Sequence, residues 1–444
     1  MASFSCAFNH VKEHLDQCLP GNIILDICRQ LGHAWRKRKL PPDVTVQLFL
    51  VQLLAKVGLR GLVRVGGVEA SAQALGKAKK RLPRQLFARL LEKSLPADFS
   101  IASTFKGMAT FLVDGLSFLV EDTPALAAKY GKASNQRGAS KGYPTPKLLT
   151  LMRAGAALVS KAIVLPYAKQ EYTCLSRLFK SLLLHSLVLG DRGLVSFAHL
   201  ALLSNQGHEG CFQLPRGKVV KGRGKGHRTC VRRLGRQDML VRWIACDRPK
   251  WISKERWESL AKQELLLRQI AFRVCRKGYR TRWAWIITTL TDPKQYPAQE
   301  LIDLYSTRWQ IEVHFRDLKC TLKMGKISAR SIAGVQKEIM AYLLLYNLIR
   351  TVMAKAAAKQ GVTPDRISFT DTALWLLHAS VGSPLPKLQV LPRRERASPP
   401  RAIKKGRHRF PQLKKSRAAA YKPPCIAKIS SVRLAAPLQL TEPR

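Results

Sequence analysis

Residues 301–323, LIDLYSTRWQIEVHFRDLKCTLK, set the interpretation of the whole chain. On a helix that turns by about 100° per residue, four chemically unlike polar side chains fall within an arc of roughly 60°. They are Tyr305, Arg308, Glu312 and Lys319. The apolar side chains form a stripe on the adjoining arc, namely Leu304, Ile311, Phe315, Leu318 and Leu322. The pattern predicts one amphipathic helix with a polar seam at the margin of its buried face.

The polar seam has two interpretations. A carboxylate between two cations suits a metal-dependent phosphodiester site, in which Glu312 ligates metal while the cations hold phosphate. A solvated, salt-bridged face would look similar, because Glu312 and Arg316 form an i,i+4 pair in the favourable order and Arg308 lies one turn earlier. The helix alone leaves both interpretations open.

Size and charge limit the class of protein. A chain of 444 residues with 46% hydrophobic residues has room for two to three domains and a sizeable core. Lys and Arg number 77 against 28 Asp and Glu, a net charge of +49, which makes nucleic acid the expected partner. Eight Trp and long mixed apolar segments argue against a short ribosome-like or histone-like structural protein.

The first residues, MASFSCAFNHVKEH, lack a basic head followed by an apolar segment, and no uncharged apolar run reaches the ~18 residues of a membrane span. We therefore expect a cytoplasmic, nucleoid-associated protein with no membrane partner. Ten Cys without a CxxC pair suit reduced thiols. Cys6, His10, His14 and Cys18 recur at every fourth position, but on a helix they would extend about 18 Å, too far to share one zinc.

The first part of the chain, residues 1–104, is predicted to be a helical DNA-binding domain. The expected helices cover residues 23–39, 43–57, 70–81 and 84–95. Basic clusters lie along these helices. A helical packing domain with a solvated basic surface is the alternative.

From Thr110 onward the sequence changes to short apolar runs separated by Gly and Pro, which predict strands. These runs cover residues 111–113, 116–120, 147–152 and 158–165, and the first two are expected to turn near Asp114-Gly115. A helix at 172–184 and a strand at 186–189 that ends in Gly190-Asp191 follow. Meandering strands, a helix and a strand ending in Asp give the order of a ribonuclease H-like α/β fold with a mixed sheet. Asp114 and Asp191 would then lie on neighbouring strands.

This predicted catalytic domain covers residues 105–214 and 283–360, and a β-rich basic insertion at 215–282 interrupts it. The insertion opens with PRGKVVKGRGKGHRTCVRR, which has no acidic residue. It predicts a mobile basic hairpin on backbone phosphates, with a plain surface loop as the alternative. Residues 361–444 are predicted to form a basic, Pro-rich C-terminal arm for nucleic acid. From Lys387 onward it holds sixteen Lys and Arg against two Glu, a net +14.

Three acidic residues stand out, because Asp114 and Asp191 directly follow apolar strands and Glu312 lies on the patterned helix. Three carboxylates brought together repel one another unless a cation neutralises them. Two divalent ions about 4 Å apart could activate a water or a 3′-hydroxyl and stabilise the leaving oxygen. All-oxygen ligands favour two Mg²⁺ ions, with Mn²⁺ as a substitute.

The chain resembles bacterial insertion-sequence DDE transposases of the insertion-sequence-four type, which carry a Y-x2-R-x3-E-x6-K signature. The four residues of the polar seam match that spacing in full. The resemblance also covers VDG at 113–115, QRGA at 136–139 with Pro144 following, and LGDRG at 189–193, and so extends over roughly residues 105–355. Leu116 departs from the pattern, because the family often has Thr after Asp-Gly.

The resemblance implies a ribonuclease H-like domain with a β-rich insertion, binding of terminal inverted repeats, 3′-end cleavage, and transfer into double-stranded target DNA by a homodimer or higher oligomer. By position, Asp114, Asp191 and Glu312 would be the catalytic metal ligands. The DNA-contact set comprises Tyr305, Arg308, Lys319, Trp285, Arg192 and Arg316. Some members stack a flipped base on an aromatic residue placed like Trp285, but its position in WAWIITT favours a Trp packed in the core of the strand.

Two other functions remain open from sequence. A non-catalytic DNA-binding derivative would keep the basic surfaces but lose metal-dependent nicking. A ribonuclease H-like nuclease would cleave without transfer, and only joined products separate it from a transposase.

Overall fold

A computed structural model of the chain describes residues 13, 20–36, 38–65, 69–95, 104–133, 142–274, 282–379 and 382–392. The chain divides into two compact units, residues 1–272 with 283–393 and residues 273–282 with 394–444, and the first unit contains the sheet and the helices around it. Three sequence predictions lie outside the described residues: the Cys6, His10, His14 and Cys18 series, the QRGA run, and the arm beyond residue 392.

In the described part of the chain, five helices precede the sheet. They are α1 Gly21–Gln30, α2 Pro42–Ala55, α3 Leu59–Val65, α4 Ala72–Arg81 and α5 Arg84–Lys93. The helix predicted to run to residue 39 ends at Gln30, because Gly32 takes a left-handed φ of +67° and the His33 amide donates back to the Cys28 carbonyl at 2.9 Å. Helix α2 carries apolar residues around most of its circumference, and it is therefore buried on nearly every side.

Most strands join one large mixed sheet. They are β1 Thr104–Phe105, β2 Met108–Ser117, β4 Lys147–Arg153, β5 Val159–Leu165, β6 Leu187–Gly190, β7 Glu209–Gln213, β8 Gly224–Lys225, β9 Arg228–Gly235, β10 Asp238–Ile244, β11 Glu264–Val274 and β12 Arg282–Thr288. Their order is β5-β4-β2-β6-β7-β12-β11-β10-β9-β8, with β1 beside β2. Strands β5, β4 and β2 are antiparallel, whereas β2, β6 and β7 are parallel. A separate pair joins β3 Leu119–Val120 to β13 Lys326–Ile327.

The predicted turn at Asp114-Gly115 is wrong. Strand β2 runs through both residues, and β4 pairs with them at Thr150 and Leu149. An Asp-Gly pair makes a hairpin turn where the two flanking strands pair with each other. Here the residues on both sides pair with β4, so the strand continues and carries Asp114 to its carboxyl end.

Helices cover both faces of the sheet. They are α6 Pro124–Tyr130, α7 Ser176–Phe179, α8 Phe197–Ser204, α9 Lys254–Ala261, α10 Ala298–Thr307, α11 Gln310–Arg316, α12 Ile332–Lys359 and α13 Phe369–His378. The helix expected at 172–184 is only a 3₁₀ turn, Glu171–Cys174, followed by α7. Helix α12 has the length and composition of a membrane span, but 89% of its most apolar window is buried inside the protein, as in a core helix.

The single helix predicted for residues 301–323 is broken in two places. Helix α10 ends at Thr307, α11 begins at Gln310, and a π-helical segment, Asp317–Thr321, follows. At the first break the backbone bonds join residues three apart, from the Arg308 amide to Tyr305 and from the Ile311 amide to Arg308, both at 3.1 Å. These tighter bonds rotate the following residues relative to an ideal α-helix. Arg308, at this break, is buried, whereas Glu312 is exposed.

Candidate active site

Two parallel strands place the aspartates side by side. Asp114 lies near the carboxyl end of β2, and Asp191 directly follows β6. Val113 of β2 pairs with Gly190 of β6, so the residues that follow them emerge at the same edge of the sheet. The prediction that Asp114 and Asp191 lie on neighbouring strands agrees with this register.

Arg308 brings all three predicted acids together. One terminal nitrogen, Nη1, lies 3.5 Å from Asp114 Oδ2, while Nη2 lies 3.9 Å from Asp191 Oδ1 and 4.0 Å from Glu312 Oε1. The Arg308 side chain is only 7% exposed, and its Nε is buried without a hydrogen-bond partner. One buried guanidinium thus interacts with three carboxylates that come from two strands and one helix.

The Asp114 carboxyl has an unusual protonation equilibrium. Burial raises its pKa to about 6, and the charges of Asp191 and Glu171 act in the same direction, while the Gly115 amide and Arg308 oppose the change. That amide donates a 2.8 Å hydrogen bond to Asp114 Oδ1. Crowding of acids and loss of water are the usual marks of a functional carboxyl, although buried structural acids share them.

Tyr305 supports the same arrangement from α10. Its hydroxyl donates to the Gly190 carbonyl at 3.4 Å, immediately before Asp191, and its ring lies 5.7 Å from the Arg308 guanidinium carbon. The side chain is buried. Tyr305 therefore connects the start of the signature segment to the end of β6.

Glu171 is a further acid near Asp114, on the opposite face of β2, that the sequence interpretation missed. Its carboxylate fills the space that a Cβ atom on Gly115 would occupy. Burial raises the pKa of Glu171, and Lys147 partly offsets that effect. A single Glu next to a predicted helix has no sequence pattern that marks it. Its place beside Gly115 becomes visible only when β2 is seen to run through Gly115, whose missing side chain leaves room for the carboxylate.

Unlike Arg308, the other predicted DNA contacts are not paired with the three carboxylates in the described part of the chain. Arg192 and Arg316 are exposed and Lys319 is partly buried, and within the described ranges none of them forms an ion pair with an acid. Trp285, also partly buried, lines a cavity of about 260 Å³ with Trp283 and Met239. The polar seam is thus divided. Tyr305, Arg308 and Glu312 lie near the aspartates, whereas Lys319 lies in the π-helical segment Asp317–Thr321.

The donor set is chemically suited to a divalent cation, since three carboxylates surround a buried positive charge. In the present positions, however, no three acidic, Cys or His side chains among the described residues are close enough to hold one ion. A cation already lies between the acids, and it is the guanidinium of Arg308. The three carboxylates fit a divalent ion by their chemistry, whereas this structure places a guanidinium between them.

Comparisons with known proteins now define the class. A family model described as "Transposase DDE domain" matches residues 106–348, more than half of the chain, so the protein is a DNA transposase enzyme. The chain is 26% identical over 420 residues to "Transposase InsG for insertion sequence element IS4" of Escherichia coli, covering 87% of this chain and 90% of that protein. It is 32% identical over 118 residues to "Putative transposase y4zB" of Sinorhizobium fredii, covering 26% and 32% of the two chains.

The chain belongs to the transposase DDE domain family, and within it to the insertion-sequence-four type. Members of this family generally use divalent metal ions. Among solved structures, "piggyBac transposase synaptic complex with hairpin DNA" superposes with a TM-score of 0.45 at 9% identity, covering 85% of this chain and 80% of that one.

Proposed function

We propose that the protein binds the terminal inverted repeats of an insertion sequence, cleaves at their 3′ ends and transfers those ends into target DNA. The observation that carries this proposal is the meeting of Asp114, Asp191 and Glu312 at one arginine. Stability alone gives little reason to gather three acids, because each raises the cost of ionising the others. Cleavage of a phosphodiester gives a direct reason, because gathered carboxylates can hold the divalent ions that this reaction uses.

The proposed domain organisation follows the strand order. Strands β5-β4-β2-β6-β7, with the first three antiparallel and the last three parallel, support a ribonuclease H-like core. Strands β8 to β11 extend the same sheet and support the β-rich insertion. The proposed boundaries are 1–104 for the helical domain, 105–214 and 283–360 for the catalytic domain, 215–282 for the insertion and 361–444 for the arm.

In this proposal Asp114, Asp191 and Glu312 would hold the divalent ions, which we take to be two Mg²⁺. When bound, such ions lower the pKa of an attacking water or 3′-hydroxyl and stabilise the leaving oxygen. Two other side chains would orient the substrate and support the site. Arg308 neutralises the acids and offers a planar fork to a phosphate, and Tyr305 fixes the position of β6 through Gly190.

Contacts with DNA would come from several basic surfaces. Lys319, Arg192 and Arg316 are proposed to hold backbone phosphates near the site, and Trp285 to contact a base. The net charge of +49 supports long contacts with a polyanion, including both transposon ends and the target. Two ends need two sites, so we propose a homodimer or higher oligomer that acts on the nucleoid in the cytoplasm.

The test uses a plasmid that carries the matching inverted repeats found in the DNA flanking the gene. Asp114→Asn, Asp191→Asn and Glu312→Gln should each reduce Mg²⁺-dependent cleavage at the repeat ends by about 10³-fold or more. Asp122→Asn is the matched control, because Asp122 lies two residues after β3, which belongs to the separate strand pair, and forms an exposed ion pair with Lys132 at 2.7 Å. It should retain cleavage.

The products separate the proposed function from its rivals. Joined molecules in which the 3′ ends are linked to target DNA identify a transposase. Cleaved ends without joined molecules would identify a nuclease. Binding without any metal-dependent cleavage in the unsubstituted protein would identify a non-catalytic derivative and refute the proposal.

A further inference from the structure

We propose that Arg308 is a built-in counter-ion that keeps the three acids from binding metal until a DNA phosphate draws its guanidinium away. The inference rests on the proposed function, since it assigns regulation to the same site. It makes metal loading depend on substrate DNA. Free enzyme would then carry little metal, and the complete site would form only on DNA.

The position of Arg308 supports this role. Its terminal nitrogens lie 3.5 to 4.0 Å from the three carboxylates, so the guanidinium is shared among them. A Mg²⁺ ion needs oxygen ligands at about 2.1 Å. A Mg²⁺ ion bound to the same carboxylate oxygens would lie next to the buried guanidinium. The two positive charges would repel each other at that short distance.

Arg308 cannot leave by losing its proton, because guanidinium stays charged at every pH at which the protein is folded. It must move instead, and because a buried charge is costly without a partner, a competing anion is what can draw it away. Phosphate accepts a bidentate pair of hydrogen bonds from guanidinium in a geometry that no single carboxylate here provides. The substrate is therefore the natural competitor for this side chain.

The backbone at Arg308 is suited to such a movement. Arg308 lies at the break between α10 and α11, and the π-helical segment Asp317–Thr321 lies at the other end of α11. A seven-residue helix between two irregular joints can rotate without breaking a long run of helical bonds. Such a rotation would change the position of Glu312, which lies on α11, relative to Arg308, which precedes that helix.

Linkage makes the effect reciprocal. If DNA raises the affinity for metal, bound metal raises the affinity for DNA by the same factor. The enzyme would thereby avoid cutting chemistry in the absence of a bound end. Because of this coupling, the proposal can be tested by measuring metal binding with and without DNA, which does not depend on catalysis.

The experiment measures Mn²⁺ binding to the full-length protein by the loss of the free-ion electron paramagnetic resonance signal. Without DNA, Arg308→Gln should bind Mn²⁺ about tenfold or more tightly than the unsubstituted protein, within the usual range for coupled sites. Arg308→Lys should fall between them. Arg256→Gln, which removes an exposed arginine on α9, should match the unsubstituted protein. Adding a duplex that carries the element's end should tighten binding in the unsubstituted protein but hardly in Arg308→Gln.

Equal or weaker Mn²⁺ binding by folded Arg308→Gln, verified by circular dichroism, would overturn the inference. If Arg308→Gln does not fold, the decision passes to Arg308→Lys and to the DNA effect on the unsubstituted protein, whose absence would also overturn it. Asp114→Asn separates the two proposals. If this variant loses Mn²⁺ binding while Arg308→Gln gains none, only the counter-ion role fails. If Asp114→Asn binds Mn²⁺ normally with and without DNA, the proposed metal site itself fails.

Discussion

The Glu171 carboxylate lies against the α-carbon of Gly115, in the space that a side chain at position 115 would need. Gly115 follows Asp114 on β2, and its neighbours Val113 and Phe111 face the core that contains α7 and α8. Asp114 points to the other face, towards Arg308. The strand therefore carries a catalytic candidate on one face and a second acid packed against the other.

We expect Gly115→Ala to lower the free energy of unfolding by about 1–3 kcal/mol, because the new methyl group displaces the Glu171 carboxylate or shifts β2. Urea unfolding would measure the change. The double variant Gly115→Ala/Glu171→Ala should recover much of it, since the carboxylate is gone. Gly217→Ala is the control, as nothing lies within 4 Å of a Cβ there. Strictly additive effects of the two substitutions would show that these residues do not compete for space.

How far the sequence could predict the site depends on the kind of signal. The strands predicted at 147–152 and 186–189 from apolar runs correspond to β4 Lys147–Arg153 and β6 Leu187–Gly190, and the spacing from Tyr305 to Lys319 led to Glu312. The break at Arg308 could not be predicted, because the residues around it have ordinary helical periodicity. The break coincides with contacts of the guanidinium to two acids that are distant in sequence, and the local sequence carries no record of them.

The prediction of a turn at Asp114-Gly115 was wrong for a related reason. Local turn chemistry at Asp114-Gly115 is the same whether the flanking residues pair with each other or with a third strand. The partner, β4, lies more than thirty residues further along the chain. Glu171 was missed because its role depends on that pairing and on the empty side of Gly115.

Asp114 should make stability depend on pH in the direction opposite to that of a salt-bridged acid. Its folded-state pKa of about 6 lies above the unfolded value of roughly 3.9, so the folded protein binds more protons between these values. Stability is then lost as pH rises through about 6. In EDTA, Asp114→Asn should be more stable than the unsubstituted protein at pH 8, by about 1–3 kcal/mol, and nearly equal at pH 4.

Urea titrations of both proteins across that pH range would measure this difference, and the comparison cancels the contributions of other groups. If Asp114→Asn is instead less stable at pH 8, the attraction to Arg308 exceeds the cost of burying the Asp114 charge.

The last part of the C-terminal arm, residues 393–444, should contribute positive charge for DNA binding and no catalytic group. Residues 393–444 hold fifteen Lys and Arg against two Glu. A chain ending at residue 392 should bind duplex DNA more weakly, with a dependence of log K on log salt that is shallower by about 0.9 for each phosphate that the arm no longer neutralises. Fluorescence anisotropy at several salt concentrations would measure the slope. An unchanged slope would mean that the arm does not contact phosphates.

A buried ion pair in the extended part of the sheet gives the sharpest stability prediction. Arg268 on β11 is 1% exposed and donates to Asp238 on β10 from Nε at 2.9 Å and from Nη2 at 2.6 Å. Its Nη1 donates to the carbonyl of Tyr296, which lies just before α10. The pair thus ties two strands to the segment that leads into the signature helices.

Asp238→Ala should cost about 3–5 kcal/mol, because it leaves a buried guanidinium without its counter-charge. Glu264→Ala is the matched control, since Glu264 pairs with Arg242 across the same two strands but both side chains are more than half exposed, so its loss should cost under about 1 kcal/mol. Urea unfolding of both variants gives the comparison. A double variant, Asp238→Leu/Arg268→Met, tests the cause, because removing both charges should recover most of the stability that Asp238→Ala loses. If the double variant remains as unstable as the single one, packing around these side chains and not the unpaired charge accounts for the loss.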